Sequence, residues 1–276
     1  MSPTWRSDEV PDSPQIDLGG RCRAVVRALC LVTVLVLGVV LTSILRLAER
    51  PLYGLRRPWT GWVTVWVCRT ALLILGLQRK LTGAPMSMKG ALVANHSSWI
   101  DIFVLNAGAP LFFVSKSEVA AWPGIGWLAR LTGTVFVRRA RQDADAQRAL
   151  LESRLRAGHR LLFFPEGTST DGKRVLGFKT TLFASLFADG LDGAHVQPVS
   201  VAYEPPNGYD PRFYAWWGDM AFGPHLMQML AAKRGGRVHV TWHAPLAVAD
   251  FADRKKLAAM AEAQVRSAHP QGAIAV

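Results

Sequence analysis

Two long hydrophobic stretches open the chain, and shorter apolar runs at regular intervals follow them. The first stretch, Ala28 to Leu45, reads ALCLVTVLVLGVVLTSIL and is bracketed by Arg27 and Arg46. A spanning helix needs about 20 apolar residues, so this run with its flanks predicts an uncleaved membrane anchor. It is longer than the roughly 7–15 residues of a signal-peptide core, and no small-residue cleavage site follows it. The second stretch, Pro58 to Gln78, is interrupted by Arg69 and carries Trp59, Trp62 and Trp66. A charge in mid-run and three Trp predict an interfacial helix or one leg of a re-entrant hairpin.

From about residue 85 the period changes. Ala91–Asn95, Leu111–Ser115, Thr134–Arg138, Arg160–Pro165, Val196–Tyr203 and Arg237–Trp242 are near-continuous apolar runs of strand length. Such runs predict strands buried on both faces of a sheet. Ala144–Ala157 has helical spacing, and Asp250–Ala268 predicts a C-terminal surface helix with Asp250 as its N-cap. The alternation predicts an α/β fold, with a mostly parallel or mixed central sheet flanked by helices and preceded by a membrane-associated helical segment. Chemistry in such folds gathers past the carboxyl ends of the strands.

Charge turns this pattern into a partner. The 276 residues carry a net charge of +12, and half of them are hydrophobic. Residues 21–80 hold ten Lys or Arg against the single Glu49, so +9 of the total surrounds the two apolar stretches. Nucleic-acid binders spread basic and aromatic residues over a folded face, so the expected partner is an anionic bilayer and not nucleic acid. The expected organisation is a polar tail over 1–20, membrane helices over 21–80 and a catalytic domain over 81–276. Cys22, Cys30 and Cys68 all fall in or beside the membrane segments, which leaves the rest of the chain without a thiol nucleophile or a Cys-based zinc site.

Three clusters carry candidate chemistry. Asn95-His96-Ser97-Ser98-Trp99-Ile100-Asp101 follows a strand. An Asp five residues beyond a His can fold back to its second ring nitrogen and stabilise the imidazolium. The alternative is Asp101 as a helix cap with His96 bonded in a turn. Phe164-Pro165-Glu166-Gly167-Thr168 ends another strand and is followed by Lys173, Arg174 and Lys179. Gly167 and Thr168 offer donors to a phosphate or oxyanion, unless this is an ordinary turn with a salt-bridged Glu. The third cluster, Gly133 to Arg139, ends in Arg138 and Arg139, suited to gripping an anion or else simply solvated.

Together these blocks resemble the lysophospholipid acyltransferase family, typified by 1-acylglycerol-3-phosphate acyltransferase. NHSSWID is similar to its His-x4-Asp block, Gly133–Arg139 to its Gly-x-x-Phe-[Ile/Val]-x-Arg block, and Phe164–Thr168 to its Phe-Pro-Glu-Gly-Thr block. Val196-Gln197-Pro198-Val199 is similar to the fourth, and Phe178-Lys179 supplies a downstream pair that the family favours. The resemblance covers roughly residues 90–205. It implies that His96 is the general base, that Asp101 orients it, and that Arg139, Glu166, Gly167 and Thr168 hold the acceptor, with Arg138, Lys173, Arg174 and Lys179 as further headgroup or donor contacts. It implies no bound cofactor or metal, with acyl-CoA or acyl carrier protein as donor substrate. The first expected acceptor is 1-acylglycerol-3-phosphate, giving phosphatidate at the cytoplasmic side of a bacterial inner membrane.

One departure shifts that expectation. Many phosphatidate-forming members have Arg after Phe-Pro-Glu-Gly-Thr, and here it is Ser169. Ser169-Thr170-Asp171-Gly172, with Trp216-Trp217-Gly218-Asp219-Met220 and Pro224-His225-Leu226, resembles lyso-ornithine lipid acyltransferases, the alternative acceptor class with the same chemistry. No Gly-x-Ser-x-Gly elbow is present, so direct transfer is expected without an acyl-enzyme. A hydrolase or transacylase using the same pair, and a membrane-tethered scaffold with a vestigial site, are the rivals. His225, His239 and His243 are expected to be structural.

Overall fold

The computed structural model describes residues 4–6, 11, 15–138, 144–191 and 193–269. In chain order the main elements are α1 (Leu18–Tyr53), α2 (Thr60–Leu75), β1 (Gln78–Thr82), β2 (Gly90–Ala94), α3 (Asp101–Asn106), β3 (Phe112–Lys116), α4 (Ile125–Thr132) and β4 (Val135–Val137). They continue with α5 (Ala144–Arg156), β5 (Arg160–Phe163), β6 (His195–Glu204), α6 (Phe222–Ala231), β7 (Arg237–Trp242), β8 (Leu246–Ala247) and α7 (Arg254–Ser267).

The sheet order is β1-β7-β6-β2-β5-β3-β4, with β8 also paired to β6. All pairs are parallel except β6–β7 and β6–β8, so the sheet is mixed, as the sequence predicts. Every residue of β2 is buried. Its Leu92 and Ala94 join the core beneath α2, α3 and α6, while Ala91 and Val93 join the core beneath α5 and α7. A strand covered on both faces has no polar side to show, which is why the run is continuous and not alternating.

Three elements depart from the sequence expectation. β1 is the polar segment QRKLT, which straddles the expected boundary at residue 80 and pairs only with β7. An edge strand with basic side chains carries no apolar pattern to reveal it. The C-terminal helix starts later than expected: Asp253, not Asp250, is the N-cap, accepting from Lys255 N and Lys256 N, and Val248–Asp250 is a short 3₁₀ turn. The N-terminal helix also begins at Leu18, with the Asp17 side chain capping Gly20 N.

α1 and α2 form an apolar antiparallel hairpin. Gly38 of α1 meets Val67 of α2 so closely that a Cβ would lie 2.4 Å from its methyl, which allows the helices to approach. Only 17% of the apolar window of α1 is buried, and Val25, Leu29, Val32, Val36, Val40 and Ile44 are exposed. α2 turns Cys68, Ala71, Leu72 and Leu75 to the core and leaves Trp59, Trp62 and Trp66 outside. The mid-helix charge is spent inward, where Arg69 Nε donates to Ala107 O at 2.8 Å. Both ends of α1 are tied to the α/β unit. Arg23 and Arg27 donate to the carbonyls of Leu230, Ala231 and Ala232 at the end of α6. Just beyond its other end, Arg57 donates to Leu131 O of α4 at 2.6 Å.

Candidate active site

The site is built where β2, β5 and β6 end. Asn95 directly follows β2, and its side chain continues the ladder. Asn95 Nδ2 donates to Val201 O and Val201 N donates to Asn95 Oδ1, both at 2.8 Å. The next residue is thereby fixed at the sheet edge. His96 is partly exposed, and its ring stacks on Phe164 at 3.9 Å between centroids and 11° between planes.

Asp101, fully buried in the first turn of α3, turns back onto this loop. Its Oδ2 accepts from His96 Nδ1 at 2.7 Å, Ser97 N at 2.9 Å and Ser98 N at 3.0 Å. Its Oδ1 accepts from Tyr203 Oη at 2.5 Å. The carboxylate holds the proton of His96 on Nδ1, so Nε2 carries the lone pair. No side chain or backbone group among the described residues engages Nε2. Of the two readings of the sequence, helix cap or His–Asp pair, the structure contains the pair. Asp101 adds the loop amides to it without being the N-cap, which is Ile100.

Glu166, expected to hold the acceptor, lies beneath the loop that carries His96 and Asp101. It is 1% exposed; Oε1 accepts from His96 N at 2.7 Å and Oε2 from Leu176 N at 2.8 Å. Burial pushes its carboxyl up to about 8 against the opposing pull of these two N–H donors. Glu166 thus ties the end of β5 to the backbone of His96 and to the loop that carries Lys173 and Arg174. Gly167 has φ +73°, the left-handed conformation that glycine adopts without strain, and its N–H closes the turn onto Phe164 O at 3.0 Å. Thr168 is buried, and its Oγ1 accepts from Trp5 N at 3.2 Å.

The basic residues are spread around this edge. Arg138 is exposed at the end of β4, and Lys173, Arg174 and Lys179 are exposed on the loop after β5. Arg174 forms a bidentate pair with Asp171 through Nε and Nη2 at 3.2 and 3.0 Å. Arg139 lies outside the described residues. Two residues of the family blocks have structural work: Gly133 caps α4 at φ +90°, and the Arg57 guanidinium lies 3.0 Å from where a Cβ would stand. Gln197 of the fourth block braces Met86 N, Ala84 O and His243 O at the far end of β6.

Sequence reasoning missed Tyr203 and Trp5, and it left the partners of His225 open. Tyr203 sits near the carboxyl end of β6, in a strand recognised only by its apolar residues. His225, expected to be structural, accepts from Trp99 Nε1 on Nδ1 at 2.9 Å and donates from Nε2 to Phe213 O at 3.2 Å. It clasps the Trp of NHSSWID, and burial lowers its pKa to about 4, which keeps it neutral. Trp5 belongs to a segment with no periodic signal. His239 pairs with Glu204 and His243 with Ser200, and neither contacts His96.

Comparison with known proteins agrees with this geometry. The family model described as Acyltransferase matches residues 80–202. A lyso-ornithine lipid O-acyltransferase of Rhodobacter capsulatus is 55% identical over 96% of both chains. One of Pseudomonas aeruginosa is 36% identical over 90% of this chain and 94% of its own. The crystal structure of the 1-acyl-sn-glycerophosphate acyltransferase PlsC from Thermotoga maritima superposes with a TM-score of 0.59 at 21% identity, over 89% of this chain and 94% of that one. That likeness establishes the fold. The chain belongs to the lysophospholipid acyltransferase family, on the branch of the lyso-ornithine lipid enzymes, and is an O-acyltransferase.

Proposed function

We propose that this enzyme moves a fatty acyl group from a thioester, acyl-CoA or acyl carrier protein, to the free hydroxyl of a lyso-ornithine lipid. The observation that carries the chemistry is the His96–Asp101 pair at 2.7 Å, with Nε2 uncommitted at a partly open sheet edge. His96 Nε2 takes the hydroxyl proton as the oxygen attacks the thioester carbon. Asp101 stabilises the imidazolium. The C–O bond forms, the C–S bond breaks, and the imidazolium returns its proton to the departing thiolate. Glu166 and Tyr203 hold the base in place.

Two observations favour the ornithine class over the phosphatidate-forming reading. The relatives that align along the whole chain carry that name. Ser169 replaces the family Arg, and the nearby Arg174 is already half neutralised by Asp171. A dianionic phosphate monoester needs more unpaired positive charge than this leaves, and a singly charged carboxylate needs less. Acceptor binding is assigned to Thr168, Arg174, Arg138 at the end of β4 and its sequence neighbour Arg139, with Lys173 and Lys179 at the rim; Glu166 and Gly167 shape the site from below.

The enzyme works at a membrane. A 36-residue helix is about 54 Å long, well beyond a hydrocarbon core of about 30 Å. Because both ends of α1 are tied to one α/β unit, we place the hairpin in a single leaflet, with the basic residues of 21–80 among anionic headgroups. The thioester donor puts that leaflet on the cytoplasmic side of the inner membrane, with lipid and not nucleic acid as partner.

The test is transfer of a labelled acyl thioester by the purified full chain in mixed micelles, with lyso-ornithine lipid and lysophosphatidate offered in parallel. Lyso-ornithine lipid should be acylated with the higher kcat/KM, and His96→Ala should remove transfer by about 10²–10⁴-fold while the protein stays folded. Preference for lysophosphatidate would overturn the acceptor assignment. Retained transfer in His96→Ala would remove the general base.

A further inference from the structure

The N-terminal segment reads as a polar tail, yet Thr4–Arg6 lies on the active-site edge. Trp5 N donates to Thr168 Oγ1 at 3.2 Å, and the Trp5 ring meets the buried Trp217 edge-on at 6.0 Å. The Arg174 guanidinium lies over the same ring, 5.2 Å from its centroid. Arg6 reaches Asp219 at 3.0 Å. Trp5 therefore bridges two loops, Thr168–Arg174 and Trp216–Asp219. Each of these is bonded to the backbone of the catalytic loop, through Thr170 N to His96 O at 3.0 Å and Trp216 N to Ser97 O at 2.8 Å.

We propose that Thr4–Arg6 forms the outer wall of the acceptor headgroup subsite, and that Trp5 is a positioning residue acting through Arg174 and Thr168. The chemistry follows from what each group has left to give. Thr168 Oγ1 accepts from Trp5 N and donates to Ser169 O at 3.3 Å, so its rotor is fixed. Arg174 is held on one edge by Asp171, which engages Nε and Nη2, and on one face by the indole of Trp5. A planar guanidinium held at edge and face keeps a single orientation. Its Nη1 has no partner among the described residues. That nitrogen can donate to a single anionic group of a headgroup at the His96 edge. With one charge already balanced by Asp171, the fitting ligand is the monoanionic carboxylate of an amino-acid headgroup. In effect the chain supplies from its N-terminal segment a constraint that the missing Arg after Thr168 does not provide.

This inference rests on the acceptor-side assignment above, and the experiment separates the two. Steady-state kinetics of the full chain in mixed micelles are measured for lyso-ornithine lipid and lysophosphatidate, with the thioester varied separately. Trp5→Ala should raise the KM for lyso-ornithine lipid about tenfold, a value in the range of one partly desolvated cation–π contact, with kcat, thioester KM and melting temperature little changed. Trp5→Phe should restore most of the loss. Arg174→Ala should raise the same KM, and the double variant should be no worse than Arg174→Ala, because the two act as one unit. An unchanged or lowered acceptor KM in Trp5→Ala, while Arg174→Ala raises it, overturns the wall and leaves the acceptor side standing. If Arg174→Ala moves only the thioester KM, the acceptor-side assignment itself fails.

Discussion

Asp101 and Glu49 are both completely buried carboxylates, and they do different things. Asp101 sits at the sheet edge and Glu49 in the membrane hairpin. Each collects four donors. Asp101 has His96 Nδ1, Ser97 N, Ser98 N and Tyr203 Oη. Glu49 has Trp59 N, Thr60 N, Thr60 Oγ1 and Arg46 Nη1 at 2.6–3.1 Å. A buried carboxylate costs several kcal/mol unless its lone pairs are met, so both regions solve the same electrostatic problem in the same way. What separates them is the partner. The Arg46 guanidinium has donors and no acceptor, and the amides of Trp59 and Thr60 are orphan donors at the start of α2, so Glu49 only caps and pins the hairpin. His96 gives one ring nitrogen to Asp101 and keeps the second uncommitted among the described residues. Saturating the acid is a requirement of the fold; the chemistry lies in what its partner has left over.

The largest break in this comparison is Asp101→Asn. The amide can no longer balance an imidazolium, and one of its two orientations sets NH2 against three N–H groups. We expect kcat to fall about 10³–10⁴-fold, as for an orienting Asp in related triads. A loss of less than tenfold in the labelled-thioester assay would mean that Asp101 serves the loop as Glu49 serves the hairpin, and no more.

A second pair of like residues sharpens the point. His225 spends both nitrogens, on Trp99 and Phe213 O, where His96 spends one. Burial dominates the lowering of the His225 pKa to about 4, with the bond to Phe213 opposing it. Its neutral form stabilises the fold fully above the unfolded value of about 6.5, and that contribution is lost as pH falls from there through about 4. Denaturant titrations at pH 7, 5 and 4 should show a loss on the order of 2–3 kcal/mol that His225→Gln does not show. Equal acid sensitivity in the two proteins would disprove the clasp.

Glu49→Gln is the counterpart to Asp101→Asn. It places an amide donor against donors at the head of α2 and should cost about 1–3 kcal/mol of stability. Activity per folded molecule should stay near that of the unchanged protein. A fall in kcat matching that of Asp101→Asn would erase the distinction between the two acids.

Much of this was legible in the sequence, for unequal reasons. The central strands announce themselves because burial on both faces forces continuous apolar runs, and His96 and Asp101 follow because they lie close together along the chain. β1 was hidden because an edge strand has no apolar obligation. Glu49 was visible as the lone acid among ten cations, but its role depends on Thr60, across a turn whose geometry no pattern encodes. Trp5 and Glu166 depend on contacts over 163 and 70 residues, and a polar contact at that distance leaves no period to read. The Glu166 motif pointed to this sheet edge, while the atoms that its carboxylate meets could come only from the fold.

The smallest effect asks whether Tyr203 belongs with the His96–Asp101 pair or only with the burial of Asp101. Its hydroxyl is held well above the usual phenol pKa by burial first and by the Asp101 charge next, so it remains a donor throughout the working range. Tyr203→Phe leaves the ring stacked on Tyr214 and removes one of the four donors to Asp101, the only one on Oδ1 among the described contacts. A hydrogen bond to a charged group is worth about 1.5–3 kcal/mol, and part of that loss should appear as stability. The remainder should appear in catalysis, because the carboxylate must turn to find a new partner, and the imidazole follows it. We expect kcat to fall about 3–10-fold, with acceptor and thioester KM unchanged. A loss of stability with unchanged kcat would place Tyr203 beside Thr60, as a group that satisfies a buried acid and does nothing for its partner.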